Sequence, residues 1–277
     1  MRNVRRHLGT IMKCTLRHWY YVFEGIIRVV LLAILIILEL MEPYERDILP
    51  EEMWYYKYPF KPNTIPSYAM VLLSSGLPIA GIAILCLLRV SVRADYKDVI
   101  QGALGLSLAV LLNGIVTDTI KLTVGRPRPD FFDRCYPPGS DIPDVPDGHN
   151  CTGDKKDVLS GRKSFPSGHA SWMFTGMVFF SLYLANKMSV FRRNGRGHSL
   201  RLIIVLVPII AAMIVAITRL RDYWHHWEDI TVGALMGTAF AILCYLQYFP
   251  SPFGAHLTFN NEQSNDIESS TTVLTVI

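Results

Sequence analysis

Six stretches of this chain are apolar for roughly the length of a membrane-spanning helix, and they leave little choice of fold. A hydrocarbon core of about 30 Å is crossed by about 20 helical residues. The stretches run from Tyr21 to Met41, Tyr68 to Val90, Val99 to Lys121, Ala170 to Asn186, Leu202 to Ile217 and Ile230 to Phe249. Their ends are fixed only to within several residues. Inside lipid every backbone N–H and C=O must be bonded within its own segment, so the expected fold class is all-α. The expectation is a polytopic membrane protein, a six-transmembrane-helix bundle. A soluble helical protein seldom repeats buried helices at full spanning length.

The chain divides into a basic N-terminal flank (1–20), a membrane domain (21–249) and a polar tail (250–277) without lysine or arginine. The first stretch has the basic flank of a signal peptide, but its apolar run is long and no small-x-small cleavage site follows, so it reads as a retained anchor. Charge sets the orientation. Arg2, Arg5, Arg6, Lys13 and Arg17, then Arg93 and Lys97, then Lys187, Arg192, Arg193, Arg196 and Arg201 all fall on one side of a six-span bundle. The positive-inside rule makes that side, with both termini, cytosolic. The opposite, lumenal or extracellular side holds the long loop 122–167, and the expected compartment is the endoplasmic reticulum or the plasma membrane. There Asn150-Cys151-Thr152 is a candidate glycosylation sequon, and Cys135 and Cys151 are candidates for a disulfide. Cys86 and Cys244 lie in spans as packing residues, and Cys14 is a weak candidate for palmitoylation. The terminal Thr275-Val276-Ile277 is a minimal PDZ-domain ligand, although an inert tail has the same appearance. The net charge of +4 forms no basic stripe interleaved with aromatics, which argues against nucleic acid.

Three polar clusters meet membrane edges on the non-cytosolic face. The first is Lys121-Leu-Thr-Val-Gly-Arg126-Pro-Arg128-Pro129, whose prolines stop the third span and turn the arginines into the loop. Taken alone, these are ordinary flank charges; together they suit a phosphoryl group, with arginine offering a planar fork and lysine a point charge. The second is Pro166-Ser167-Gly168-His169, where Ser167 can cap a helix and Gly168 lets an anion approach free N–H groups. The third is Thr218-Arg219-Leu-Arg221-Asp222-Tyr-Trp-His225-His226-Trp-Glu228-Asp229. His225 and Asp229, four apart, share a helical face, and a carboxylate on one imidazole nitrogen makes the other a better nucleophile. Asp222 and His226 have the same spacing, and spacing alone separates the pairs only slightly. Trp224 and Trp227 read as an interfacial aromatic belt. A metal centre is disfavoured because Lys121, Arg128 and Arg219 would repel a divalent cation, so no cofactor is expected.

In order and spacing the clusters resemble the signature of the lipid phosphate phosphatases (type 2 phosphatidate phosphatases), relatives of the vanadium haloperoxidases and glucose-6-phosphatase. That signature reads lysine, six residues, Arg-Pro; then Pro-Ser-Gly-His; then Ser-Arg, five residues, His, three residues, Asp. Here Thr218 replaces the serine and keeps its hydroxyl. Gly-Arg-Pro-Arg-Pro-Asp-Phe-Phe and Tyr-Trp-His-His-Trp further resemble the diacylglycerol pyrophosphate phosphatase and broad-specificity phospholipid phosphatase subgroup. The resemblance implies His225 as nucleophile oriented by Asp229, and His169 as acid and then base. It also implies Lys121, Arg128, Arg219 and the backbone at Ser167 and Gly168 as phosphate binders, without Mg²⁺. The substrate so implied is phosphatidate, lysophosphatidate or diacylglycerol pyrophosphate, with a sphingoid base phosphate or polyisoprenyl diphosphate as rivals. A catalytically silent membrane scaffold would have lost some of these positions, and a transporter for phosphorylated compounds would need no histidine pair.

Overall fold

A computed structural model describes residues 2–88, 95–140, 148–193 and 195–253, with side chains from residue 18 onward. Arg93, the PDZ-type terminus and the side chains of Cys14 and the basic flank lie outside this description.

Among the described residues the chain is all-helical. Helix α1 (Arg2–Leu40) continues from the flank into the first span. A 3-10 turn (Pro50–Tyr56) follows, then α2 (Ser67–Val71) and α3 (Leu77–Leu87), joined through a π turn at Leu72–Gly76. The π turn lies immediately before Pro78, which has no N–H to continue the α ladder. Helix α4 (Tyr96–Val124) starts in a capping box of Asp95 and Asp98. It ends at Gly125, whose φ of 57° is left-handed and whose place a Cβ could take only by meeting the Tyr44 carbonyl. Short helices α5 (Phe131–Cys135) and α6 (Lys155–Gly161) lie in the long loop, where Cys135 and Cys151 are joined as a disulfide. The remaining helices are α7 (Gly168–Lys187), α8 (Ser199–Arg221) and α9 (Trp227–Tyr248).

Among the described residues five helices are long and apolar enough to cross a membrane: His18–Leu40, Ser67–Leu87, Tyr96–Val124, Ser199–Arg221 and Trp227–Tyr248. This is a multi-pass membrane protein. Helix α7, the fourth expected span, is not among the five, and its surroundings explain why. It packs against α9, α8 and α4 and turns almost every side chain inward. Lipid does not select its composition, so it can carry Ser171, Thr175, Ser181 and Asn186 buried. Asn113 and Thr117 of α4 bond the Ser171 hydroxyl at 2.7 and 3.0 Å, the interhelical polar link that a bundle interior tolerates. Close packing against α9 depends on Gly233 and Gly237, where an added Cβ would meet the Ser167 and Ser171 carbonyls at 2.6 and 2.2 Å. Arg28, inside the first span, is neutralised by Glu24 and also donates to Ser107, Tyr248 and the Leu104 carbonyl.

Because the spans alternate in direction, the C-terminus of α4, the N-terminus of α7 and the α8–α9 turn meet at one end of the bundle. Main-chain bonds tie them: Ser164 N–H donates to Arg126 O at 3.1 Å and Ser167 N–H to Asp229 O at 2.9 Å.

Candidate active site

All three sequence clusters converge at that end in one buried, cation-rich site. Ser167 caps α7, its hydroxyl accepting from Ala170 N–H at 3.5 Å. A Cβ at Gly168 would stand 2.9 Å from Lys121 Nζ, so the missing side chain lets the ammonium lie against the opening turn of α7. Asp118 holds the same ammonium at 3.2 Å. His169 is 8% exposed and feels the charges of Arg219, His225 and Arg128. His225, 3% exposed, feels Arg128, Asp229 and Lys121.

The two arginines differ in what they leave open. Arg219 is fully buried; its Nε and Nη2 donate to Thr218 Oγ1 at 3.1 and 2.9 Å, Nη2 also to Asp222 at 3.0 Å, and Nη1 to Asn63 Oδ1. Four of its five N–H groups are thus committed to protein, which leaves one on Nη1. Arg128 is the opposite case. Its Nε and Nη1 are buried without a partner, and its guanidinium lies 4.5 Å over the Trp224 ring. Burial, then the charges of Arg134 and Arg219, pull its pKa to about 9, so it stays charged at neutral pH while lacking hydrogen-bond acceptors. A buried cation in that condition fits an anion better than any apolar group.

The histidine geometry corrects the reading by spacing. His225 precedes α9 instead of sharing its face with Asp229; His226 is the N-cap and Asp229 the third helical residue of a capping box. Asp229 Oδ2 accepts from His226 N–H at 2.9 Å and lies 3.2 Å from His226 Nδ1. From His225 Nδ1 it is 3.8 Å away, a charge contact and not a hydrogen bond. The group that bonds His225 Nδ1 is the Ser164 carbonyl, at 2.7 Å. A carbonyl only accepts, so Nδ1 bears the hydrogen and Nε2 the lone pair. Asp229, itself fully buried, is further held by Ser164 Oγ and Arg126 Nη1, each at 2.6 Å.

The rival pairing of Asp222 with His226 does not form. Asp222 bonds Arg219 and Thr64, whereas His226 stacks on Tyr55 with ring centroids 4.4 Å apart. Trp224 is a wall of the pocket, not part of a lipid belt: it packs under Arg128 and Arg134 and donates to the Lys61 carbonyl at 2.9 Å. Trp227 stays exposed.

Spacing gave no role to Ser164 or to His226 as a partner of Asp229. The N-cap pattern at His226 and Asp229 carried the second signal; the Ser164 carbonyl carried none. Asn63, Thr64 and Ile65, which touch Arg219, Asp222 and His169, come from a loop with no marking in the sequence. What the site can do chemically is hold a tetrahedral anion between fixed cations, with the Nε2 lone pair of His225 available for attack.

Comparisons with known proteins agree with that chemistry. Residues 102–252 match the PAP2 superfamily. The chain is 40% identical to lipid phosphate phosphatase 2 of Arabidopsis thaliana over 96% of this chain and 91% of that protein. It is 44% identical to lipid phosphate phosphatase 1 of the same plant, over 83% of this chain and 68% of the relative. It is 39% identical to a probable diacylglycerol pyrophosphate phosphatase 1 of Schizosaccharomyces pombe, over 54% of each. No solved structure matches. The matched segment contains all three loops that build the cationic pocket and covers more than half of the chain, so this protein belongs to the PAP2 superfamily of phosphatases.

Proposed function

We propose that this membrane lipid phosphatase acts on phosphatidate, lysophosphatidate or diacylglycerol pyrophosphate through a phosphohistidine on His225. The observation that carries the reading is the pairing of His225, whose Nε2 alone keeps a lone pair, with the open fork of Arg128. In the first step Nε2 forms a bond to phosphorus. The P–O ester bond breaks with its electrons on the leaving oxygen, and His169 supplies the proton. In the second step water attacks phosphorus, His169 takes the proton, the N–P bond breaks and inorganic phosphate leaves. Lys121, Arg128, the remaining Nη1 donor of Arg219 and the N–H groups at the start of α7 would carry the phosphoryl charge. With so many cations around the anion, a divalent metal has no role to fill.

A lipid substrate is supported by an apolar groove of about 300 Å³ lined by Phe174, Met213, Ala216, Ile217, Ala234 and Leu235. Ala216 and Ile217 lie just before Thr218 and Arg219 on α8, and the groove continues along α9 from Ile230, the neighbour of Asp229. A headgroup in the pocket would leave its chain room in the groove. The relative named for diacylglycerol pyrophosphate supports a diphosphate among the substrates. The same lining accepts a sphingoid or polyisoprenyl chain.

We place six spans in the membrane, with α7 as the sheltered central one. The termini and the basic links face the cytosol, and the pocket faces the lumen or the exterior of an endoplasmic reticulum or plasma membrane. The Cys135–Cys151 bridge supports an oxidising compartment for the pocket side.

The test is phosphate release by purified protein from a panel of these lipids, with and without EDTA. Release unaffected by EDTA and absent in His225→Ala is the expected result. EDTA inhibition reversed by added metal would overturn the metal-free mechanism, and undiminished turnover by His225→Ala would overturn the nucleophile.

A further inference from the structure

The loop between α1 and α2 bonds to the site through four residues, Lys61, Asn63, Thr64 and Ile65. Trp224 Nε1–H donates to the Lys61 carbonyl at 2.9 Å. Arg219 Nη1 donates to the Asn63 side-chain oxygen. Thr64 donates to Asp222 twice, through its N–H at 2.9 Å and its hydroxyl at 2.8 Å. His169 Nε2–H donates to the Ile65 carbonyl at 2.9 Å. Farther back the loop is moored to the end of the first cluster and to α5: Tyr58 N–H donates to Pro129 O at 3.0 Å and Phe60 N–H to Asp133 Oδ2 at 2.7 Å. Lys61 Nζ lies 4.4 Å over the Tyr223 ring.

We infer that Asn63, Thr64 and Ile65 are positioning residues of the phosphoryl site, a fourth strand of chain that sets Arg219 and His169 in place. The physical reason lies in what each bond fixes. Asp222 can clamp Arg219 only while its own carboxylate is held, and Thr64 supplies two of the bonds that hold it. Asn63 takes one of the two Nη1 hydrogens of a guanidinium already held through Nε and Nη2, and so fixes the direction of the other. The Ile65 carbonyl does for His169 what the Ser164 carbonyl does for His225. With Nε2–H committed there, Nδ1 is the nitrogen that, in the imidazolium form, gives its proton to the leaving oxygen and, once neutral, takes one back from water. The two imidazoles are thereby pinned from separate loops, through opposite ring nitrogens. Misplacing a catalytic charge or acid by about 1 Å is enough to cost about 100-fold in rate.

The inference rests on the phosphatase reading, so phosphate release by the wild type and its loss in His225→Ala are measured first; failure there sinks the reading itself. With an active wild type, Thr64→Val and Thr64→Ser are compared at matched thermal stability. Thr64→Val keeps shape and N–H but removes the hydroxyl, with its bond to Asp222 and the one it accepts from Arg221 Nη2 at 2.7 Å, and kcat is expected to fall about 10- to 100-fold with KM changing less. Thr64→Ser is expected to restore most of the loss. Asn63→Ala, which removes only the acceptor on Arg219, is expected to lower kcat/KM about 10-fold and to weaken inhibition by inorganic phosphate. Unchanged kinetics in both Thr64→Val and Asn63→Ala would overturn the inference. So would a loss in Thr64→Val that Thr64→Ser does not restore, because a general packing role would produce that pattern. Should Thr64→Val fail to fold, Asn63→Ala decides alone.

Discussion

His225 gives its Nδ1 hydrogen to the main-chain carbonyl of Ser164, 2.7 Å away, and Asp229 stands 3.8 Å off as a charge contact. The tautomer is therefore set by backbone, in a loop that Ser164 N–H also ties to Arg126. The carboxylate sets the electrostatic surroundings and holds that loop through Arg126, Ser164 and His226.

If His169 serves both half-reactions, its removal should reveal the intermediate. His169→Gln is expected to lower turnover about 100- to 10,000-fold, the usual contribution of a positioned acid or base. With a diphosphate substrate, whose leaving group needs less proton assistance, acid-labile phosphate should stay on the protein. His225→Ala should trap none. Quenched-flow labelling with radioactive phosphate reads both, and labelling of His225→Ala at wild-type level would point to His226.

Burial is the first cause that pulls the His225 pKa from 6.5 to about 4; Arg128 and Lys121 add to it, and Asp229 opposes. The neutral, nucleophilic form consequently persists far below the midpoint of an ordinary histidine. After correction for substrate ionisation, kcat/KM should stay level as the pH drops through about 6.5 and fall as it passes about 4. Stability follows the same sign. The unfolded chain takes up this proton first, so the contribution is whole above about 6.5 and is lost as the pH falls towards about 4. An acid limb of kcat/KM centred near neutrality would contradict the assignment.

The orphaned guanidinium of Arg128 predicts opposite effects on stability and rate. Arg128→Met removes a buried charge that has no hydrogen-bond acceptor, so thermal unfolding in detergent should occur at the same temperature or higher. Activity should nonetheless drop by about 100-fold or more, because the open fork is the main charge offered to the phosphoryl oxygens. Arg128→Lys should recover little, since a lysine cannot reproduce the fork. A variant both destabilised and fully active would assign Arg128 to structure.

Narrowing the groove should separate lipid from headgroup. Ala234→Phe is expected to raise KM about 10-fold for long-chain phosphatidate, while a short-chain, water-soluble phosphate ester loses little. Equal losses on both substrates, measured in mixed micelles, would mean that the groove does not receive the chain.

The legible parts of this protein were those written in local pattern. Spanning length and apolarity placed α1, α4, α8 and α9, and α2 with α3, because lipid imposes one rule on every residue that faces it. Helix α7 met that rule least well, since neighbouring helices and not lipid surround it. The prolines after Gly125 marked the end of α4, and Ser167 marked the start of α7. The three polar clusters were visible because charge is scarce in such a chain, and alternating helix direction brought them to one end.

Sequence by itself thus determined an all-helical membrane bundle and the inventory of a phosphate pocket: two imidazoles, a carboxylate and three cations. Tertiary structure alone decided how that inventory is wired. Which nitrogen of His225 is free depends on a carbonyl 61 residues away, and which arginine keeps an open fork depends on Asn63, 156 residues from Arg219. Hydrogen bonds are satisfied by whatever donor or acceptor the fold brings within 3 Å or so, and main-chain carbonyls carry no residue identity to be read in advance.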